Sequence, residues 1–319
     1  MTNEPRPSWP ALPYAEWRET CTALHLWSQV VGKYRLARSP WVNHSWHATL
    51  YVTPRGLTTG PVPDAGGLVE LRFDLCDHEL VAEAAGGAAA RVPLGPMRAA
   101  EFFARATRAI AAVGGNPAMH DRPSELPEAL PFPEDTGQRP YDREAVERFH
   151  RALAGIVPVF ERFRTSFIGK TSPVHLFWGA FDLAVTRFSA RRGPLHPGGI
   201  PNLPDAVTRE AYSHEVSSAG FWPGGGGVDE AKFYSYAYPE PDGFRDHRVE
   251  AEGARYDDAL REFVLPYETV RTARHPAQAL TAFLRSTYEA AATRGGWERA
   301  ALECETGRPR IPRVVEPPA

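Results

Sequence analysis

Apolar side chains recur along this chain with two periods, and their alternation lays out a fold. In residues 14–31, Trp17, Cys21, Leu24, Trp27 and Val31 fall at helical spacing, and in residues 142–167 Phe149, Leu153, Val157, Phe160 and Phe163 do the same. Each segment predicts a helix with one apolar stripe turned to a core. Behind each helix comes a strand, over residues 44–55 in the first case and 175–188 in the second, with further strands expected at 212–220 and 232–240. Residues 98–113 and 276–293 return to helical spacing and close each half. Between the halves, residues 114–140 hold six prolines and keep neither period, which reads as a connector.

The pattern also repeats. Val31-Gly32-Lys33 precedes His44-Ser45-Trp46-His47-Ala48-Thr49-Leu50-Tyr51-Val52-Thr53-Pro54-Arg55, and Ile168-Gly169-Lys170 precedes His175-Leu176-Phe177-Trp178-Gly179-Ala180-Phe181-Asp182-Leu183-Ala184-Val185-Thr186-Arg187, with tryptophan and arginine equally spaced in both. The fold class expected is therefore α+β: two similar halves, each an antiparallel sheet flanked by helices, related by a pseudo-two-fold duplication with a groove between them. The first unit spans residues 11–113, the connector 114–140, the second unit 141–303, and residues 304–319 form a loose tail, as do residues 1–10.

Composition narrows the function classes. The chain has 319 residues and a formal net charge of −3, without a lysine or arginine block that would track a phosphate backbone, so nucleic acid is not an expected partner. No apolar run approaches the roughly 18 residues needed to cross a bilayer, and the first ten residues lack the layout of a secretion signal. Cys21, Cys76 and Cys304 are odd in number and widely spaced, which points to unpaired thiols and a cytoplasmic location.

The candidate chemistry lies in the second half. On strand 175–188 one face collects His175, Phe177, Phe181, Leu183, Val185 and Arg187, and the other Trp178, Ala180, Asp182, Ala184, Thr186 and Phe188. Neither face is polar enough for solvent, so Asp182 is a carboxylate among apolar neighbours, where burial costs several kcal/mol or raises its pKa. At the repeat-equivalent position the first half has Leu50. Asp182 is therefore the candidate acid/base residue, with a buried ion pair to Arg187 or Lys170 as the structural alternative. On strand 232–240, Lys232, Tyr234, Tyr236, Tyr238 and Glu240 share a face, a ladder of phenols suited either to a ring-bearing ligand or to cross-strand packing. Glu215 shares a small, polar face with Ser213 and Ser217 and is the expected catalytic partner of Asp182. Trp178, Trp222, the three tyrosines and His175 would bind substrate, with Lys170 and Arg187 available for an anionic group.

Other chemistries find no support. His44, His47, His175, His214, Asp182 and Glu215 could in principle ligate a metal, yet no spacing matches a known zinc site, and no metal is expected. Gly224-Gly225-Gly226-Gly227 reads as a turn, Gly169-Lys170-Thr171 lacks the upstream glycine of a phosphate loop, and GxSxG and GxGxxG are absent. No nucleotide or flavin cofactor is indicated.

Several of these segments together resemble a known family. Gly169-Lys170-Thr171-Ser172-Pro173-Val174-His175, Phe181-Asp182-Leu183-Ala184, Gly220-Phe221-Trp222-Pro223-Gly224, Tyr234-Ser235-Tyr236-Ala237-Tyr238-Pro239-Glu240-Pro241 and Leu265-Pro266-Tyr267-Glu268 are similar to motifs of an uncharacterised bacterial family with a domain of unknown function, from Trp9 to about Leu302. Ala190 departs from it where the family carries glycine. The resemblance implies one coherent unit and no particular activity. From the residues alone, the expected function is a small-molecule enzyme using carboxylate acid/base chemistry in an aromatic-lined cleft, or a non-catalytic protein that holds a small ligand or peptide in the same groove.

Overall fold

The computed structural model describes residues 9–64 and 67–313. Its first helix, α1 (Tyr14–Leu36), leads through a short 3-10 turn at Asn43–Ser45 into a six-stranded sheet. This sheet comprises β1 (Tyr51–Thr53), β2 (Gly56–Thr58), β3 (Val62–Asp64), β4 (Gly67–Asp74), β5 (Glu79–Ala84) and β6 (Ala89–Pro93). Its order is β1-β2-β4-β5-β6, with β3 on β4, and every pairing is antiparallel. The two-residue strand β7 (Met97–Arg98) and helix α2 (Ala99–Ala112) complete the first half; β7 pairs with β8 (Gln138–Arg139), from the end of the connector.

The second half repeats the plan. Helix α3 (Arg143–Arg164) is capped by Asp142, whose carboxylate accepts from the amides of Glu144 and Ala145 at 2.9 and 3.2 Å, satisfying two of the donors a helix start leaves free. A second antiparallel sheet follows, built from β9 (His175–Phe177), β10 (Asp182–Arg192), β11 (His214–Trp222), β12 (Lys232–Tyr238), β13 (Arg255–Asp257) and β14 (Glu262–Pro266), in the order β13-β14-β12-β11-β10-β9. The short helix α4 (Asp205–Ala211) sits between β10 and β11; α5 (Tyr267–Thr272), α6 (Pro276–Arg294) and α7 (Arg299–Leu302) end the chain's regular structure. Among the described residues, no helix is long and apolar enough to cross a membrane.

Both halves thus run helix, antiparallel strands, helix, as expected, but their details differ. The predicted strands at 44–55 and 175–188 are each interrupted: the former begins as a 3-10 turn, and the latter is a hairpin whose turn, residues 178–181, puts Phe181 at φ 59°. Gly32-Lys33 lies inside α1, whereas Gly169-Lys170 lies in the loop after α3, so this pair of dipeptides occupies different elements.

The two halves share one core. Trp17 packs on Phe149 at 5.3 Å between ring centres and Phe149 on Phe181 at 5.5 Å, which ties α1 and α3 to the β9–β10 turn. Leu50 and Leu176 exchange backbone hydrogen bonds of 2.9 and 2.8 Å, joining the strand edges of the two sheets. The connector is part of this body, with Phe132 fully buried and Ser124 bonded to α1 through Gln29. Of the predicted loose tail, Cys304 and Gly307 bond to Ser166 and Thr165 at the end of α3; residues 314–319 and 1–8 lie outside the described residues.

Candidate functional site

The second sheet presents its two faces to different surroundings, and alternation along β10 decides what each receives. Leu183, Val185 and Arg187 turn toward α3 and α6. Asp182, Ala184, Thr186 and Phe188 turn the other way and line a cavity of about 960 Å³. Register carries the pattern across the sheet: Ala184 lies opposite Gly220 and Gly220 opposite Tyr234, while Thr186 lies opposite Ser218 and Ser218 opposite Tyr236. Small residues on two strands leave the volume that the two tyrosines lean into. At Gly220 a methyl group would lie 2.3 Å from the Tyr234 hydroxyl, so only glycine lets that ring cross to β10. Tyr234 then donates a hydrogen bond to Asp182 Oδ2. Beside it, Tyr236 and Tyr212 share a hydroxyl–hydroxyl bond of 2.8 Å, and Thr186 and Ser218 another of 2.8 Å.

The opposite wall comes from the first half and the connector. From Leu26 to Tyr34 every residue of α1 is buried, so its polar side chains cannot all face water. His25, Gln29 and Lys33, spaced four apart on one stripe, turn toward the β9–β10 turn and residue 124. His25 and Gln29 meet the Gly179 carbonyl at 2.9 and 3.4 Å, and Lys33 Nζ donates to Ser124 Oγ at 2.9 Å while lying 5.4 Å from the centre of the Trp178 ring. Gly32 makes this approach possible, because a methyl there would lie 2.2 Å from the Trp178 indole. Trp178 Nε1 is fixed by the Ala48 carbonyl at 2.6 Å. Glu125, held at φ 65° with its amide on the Pro201 carbonyl, lays its carboxyl against the backbone of Gly179.

The ionisable groups that line this largely apolar space include three carboxyls and a lysine. Burial pushes Asp182 up to about 6, partly offset by the Tyr234 hydrogen bond. Burial pushes Glu125 up to about 7, helped by the nearby Asp182 charge and opposed by Lys33. Glu262, at the start of β14, rises to about 8 through burial, then through Asp182 and Asp257, and its Oε2 is buried without a hydrogen-bond partner. Burial brings Lys33 down to about 8 against the pull of Glu125 and Asp121. A carboxyl that titrates near neutrality can take and return a proton at working pH, which an ordinary surface carboxylate does poorly.

Of the residues singled out from the sequence, Asp182, Trp178, Trp222, Tyr234 and Tyr236 line this cavity together. Tyr238 stands at the rim, donating to the Pro194 carbonyl at 3.2 Å and packed on His196 and Tyr212. The other expected members are elsewhere. Glu215 is paired with Arg191 at 2.6 Å and accepts from Ser189 at 2.8 Å, so it is not next to Asp182. Arg187, opposite in parity to Asp182, donates to the Phe163 carbonyl and to Ser166, with its guanidinium 3.5 Å from the centre of the Phe163 ring and 4.3 Å from that of Tyr288. Lys170 donates to His44 Nε2 at 2.6 Å, and burial lowers its pKa. His175 is fully buried outside the cavity with both ring nitrogens unpartnered, and burial holds it near 4, hence neutral. Neither proposed ion pair of Asp182 forms; its partner is a phenol. Lys33, Glu125 and Glu262 were missed. Only Lys33 left a signal, the polar stripe at 25, 29 and 33 in a helix whose stretch from Leu26 to Tyr34 is otherwise mostly apolar.

Of the candidate ligand histidines, His44 Nδ1 meets the Ala211 carbonyl at 2.6 Å, His47 Nδ1 the Val42 carbonyl at 3.2 Å and His214 Nδ1 the Ser213 hydroxyl at 3.1 Å. Among the described residues, three potential metal-ligating atoms converge within 4.8 Å at Asp74, Asp77 and Glu79, on the first sheet and outside the cavity, where Arg55 already binds Asp74 and Asp77. No curated protein matches the chain, and neither does any solved structure. The family match lies at the level of the whole chain, which belongs to DUF5996, a family of unknown function matched over residues 9–304.

Proposed function

We propose that the protein is a small-molecule enzyme of the acid/base kind, acting in the cytoplasm, with its substrate in the cavity on the inner face of the second sheet. One observation carries this reading: the Asp182 carboxyl is buried at the wall of a 960 Å³ cavity, bonded to Tyr234 and raised to about 6. In the mechanism proposed, ionised Asp182 removes a proton from the substrate, and the Tyr234 hydroxyl orients the carboxylate. Glu125, which titrates near 7, returns a proton from the connector side. Glu125 thus replaces Glu215 as the second carboxyl. Trp178, Trp222 and the tyrosines form apolar walls that exclude water and give ring-bearing substrates surface to bury.

The helix–sheet–helix order of both halves supports a duplicated origin, in which Leu50 and Asp182 descend from one position and only the second copy acquired the carboxyl. The test is Asp182→Asn, assayed on purified protein against a metabolite library by thermal shift and by turnover. The variant is expected to keep the wild-type Tm within about 2 °C and to lose turnover. A parallel loss of stability and activity would make Asp182 structural. Ligand stabilisation that survives the substitution, without turnover in either protein, would leave a binding protein.

A further inference from the structure

The charges around the cavity speak against the anionic ligand expected from Lys170 and Arg187. Arg187 faces α3 and α6, and Lys170 is engaged by His44. Of the remaining basic groups on the cavity wall, Arg122 is exposed and donates to the Ala129 carbonyl at 2.8 Å, His120 is exposed, and burial lowers the pKa of His44 and His196. Lys33 lies between Ser124 and Trp178 and offsets part of one carboxyl's charge, that of Glu125. Against it stand the carboxyls of Asp182, Glu125 and Glu262; Glu262 keeps its proton up to about 8, so a cation seated there releases that proton to solvent, and its Oε2 has no hydrogen-bond partner. A buried acceptor without a donor is costly, and in a cavity wall the missing donor is supplied by what enters.

We infer that the cavity takes an organic amine in its protonated form, its ammonium group donating to Glu262 and seated between Glu262 and Asp182, with an apolar body against Trp178, Trp222 and Tyr236. The inference rests on the cavity being the ligand site proposed above. A primary ammonium fits better than a quaternary one because it brings N–H donors as well as charge. Aromatic walls favour the same class, since ring faces attract cations.

The experiment is isothermal titration of the full-length protein near neutral pH with three probes of one shape, 2-phenylethylamine, 2-phenylethanol and phenylacetate. The amine is expected to bind at least about tenfold more tightly than the other two, the margin that separates recognition of charge from burial of a ring. Glu262→Gln is expected to reduce that preference to within about threefold while leaving the weaker binding of the alcohol unchanged. Equal or tighter binding of the alcohol or of phenylacetate overturns the amine inference and leaves the cavity standing as a ligand site. A preference for amine that persists unchanged in Glu262→Gln overturns the seat assigned to the ammonium. Failure of all three probes to bind also overturns the inference, and the turnover test of Asp182→Asn then judges the enzyme reading independently.

Discussion

The two faces of the second sheet carry opposite charges five residues apart on one strand, and they treat them differently. On the helix face, Arg187 is wrapped by protein: a carbonyl and a hydroxyl accept from it, and the rings of Phe163, Phe167 and Tyr288 surround it. On the cavity face, Asp182 has one phenol, and Glu262 has a bare oxygen. A buried charge whose needs are met by its own chain is architecture. One whose needs are left open beside an empty volume is suited to a ligand, because whatever binds there gains what the fold withholds.

The largest effect expected from breaking this contrast is on the helix face. Arg187→Ala empties the slot between Phe163 and Tyr288 and should cost about 3 kcal/mol or more in a denaturant melt, with affinity for cavity ligands unchanged in the folded fraction. The reverse outcome, lost binding at full stability, would exchange the roles of the two faces. Next comes Gly220→Ala, which forces the Tyr234 ring away from Asp182 and should cost about 2 kcal/mol. The pH at which Asp182 ionises, read by carboxyl infrared titration, should rise once the hydrogen bond that favours the ionised form is gone, whereas an unchanged value would show that Tyr234 does not tune it.

Two smaller effects have opposite pH signs. Glu262 keeps its proton in the folded state up to about 8 but loses it near 4.5 when unfolded, so the folded chain binds the extra proton and stability falls as pH rises between those values. Glu262→Gln removes this loss, and its stability advantage over wild type in denaturant melts should grow from about pH 5 to about pH 8, reaching on the order of 1 kcal/mol. His175 is held neutral down to about 4 against 6.5 when unfolded, so here the unfolded chain takes the proton and stability falls as pH drops through that window. His175→Phe should therefore gain most at low pH, by somewhat under about 1 kcal/mol, and an advantage that did not depend on pH would show that packing, not ionisation, governs the site.

Much of this was legible in the residues. Two helices with apolar stripes, the parity that separates Asp182 from Arg187, and the shared face of Tyr234 and Tyr236 follow from periods of 3.6 and 2, which are local properties of the backbone. What failed was any inference that needed the path of the chain between elements. Glu215 read as a partner of Asp182 because its own strand face is small and polar, yet Arg191, four residues beyond Arg187, reaches Glu215 first. Glu125 sits in a proline-rich stretch with no period at all, so nothing local marked it as a wall of the site.

By itself the sequence determined which side chains share a face within β10 and within β12 and that a carboxyl stands in an apolar setting, since alternation and hydrophobicity need no knowledge of neighbours; it misplaced His175 and Phe177, which the turn at 178–181 sets opposite Ala184 and Asp182 rather than on the Arg187 face. Only the tertiary structure decided that α1 and the connector close over that face, bringing Lys33 and Glu125 to Asp182. Such contacts join residues far apart in the chain, and they are set by how the whole core packs.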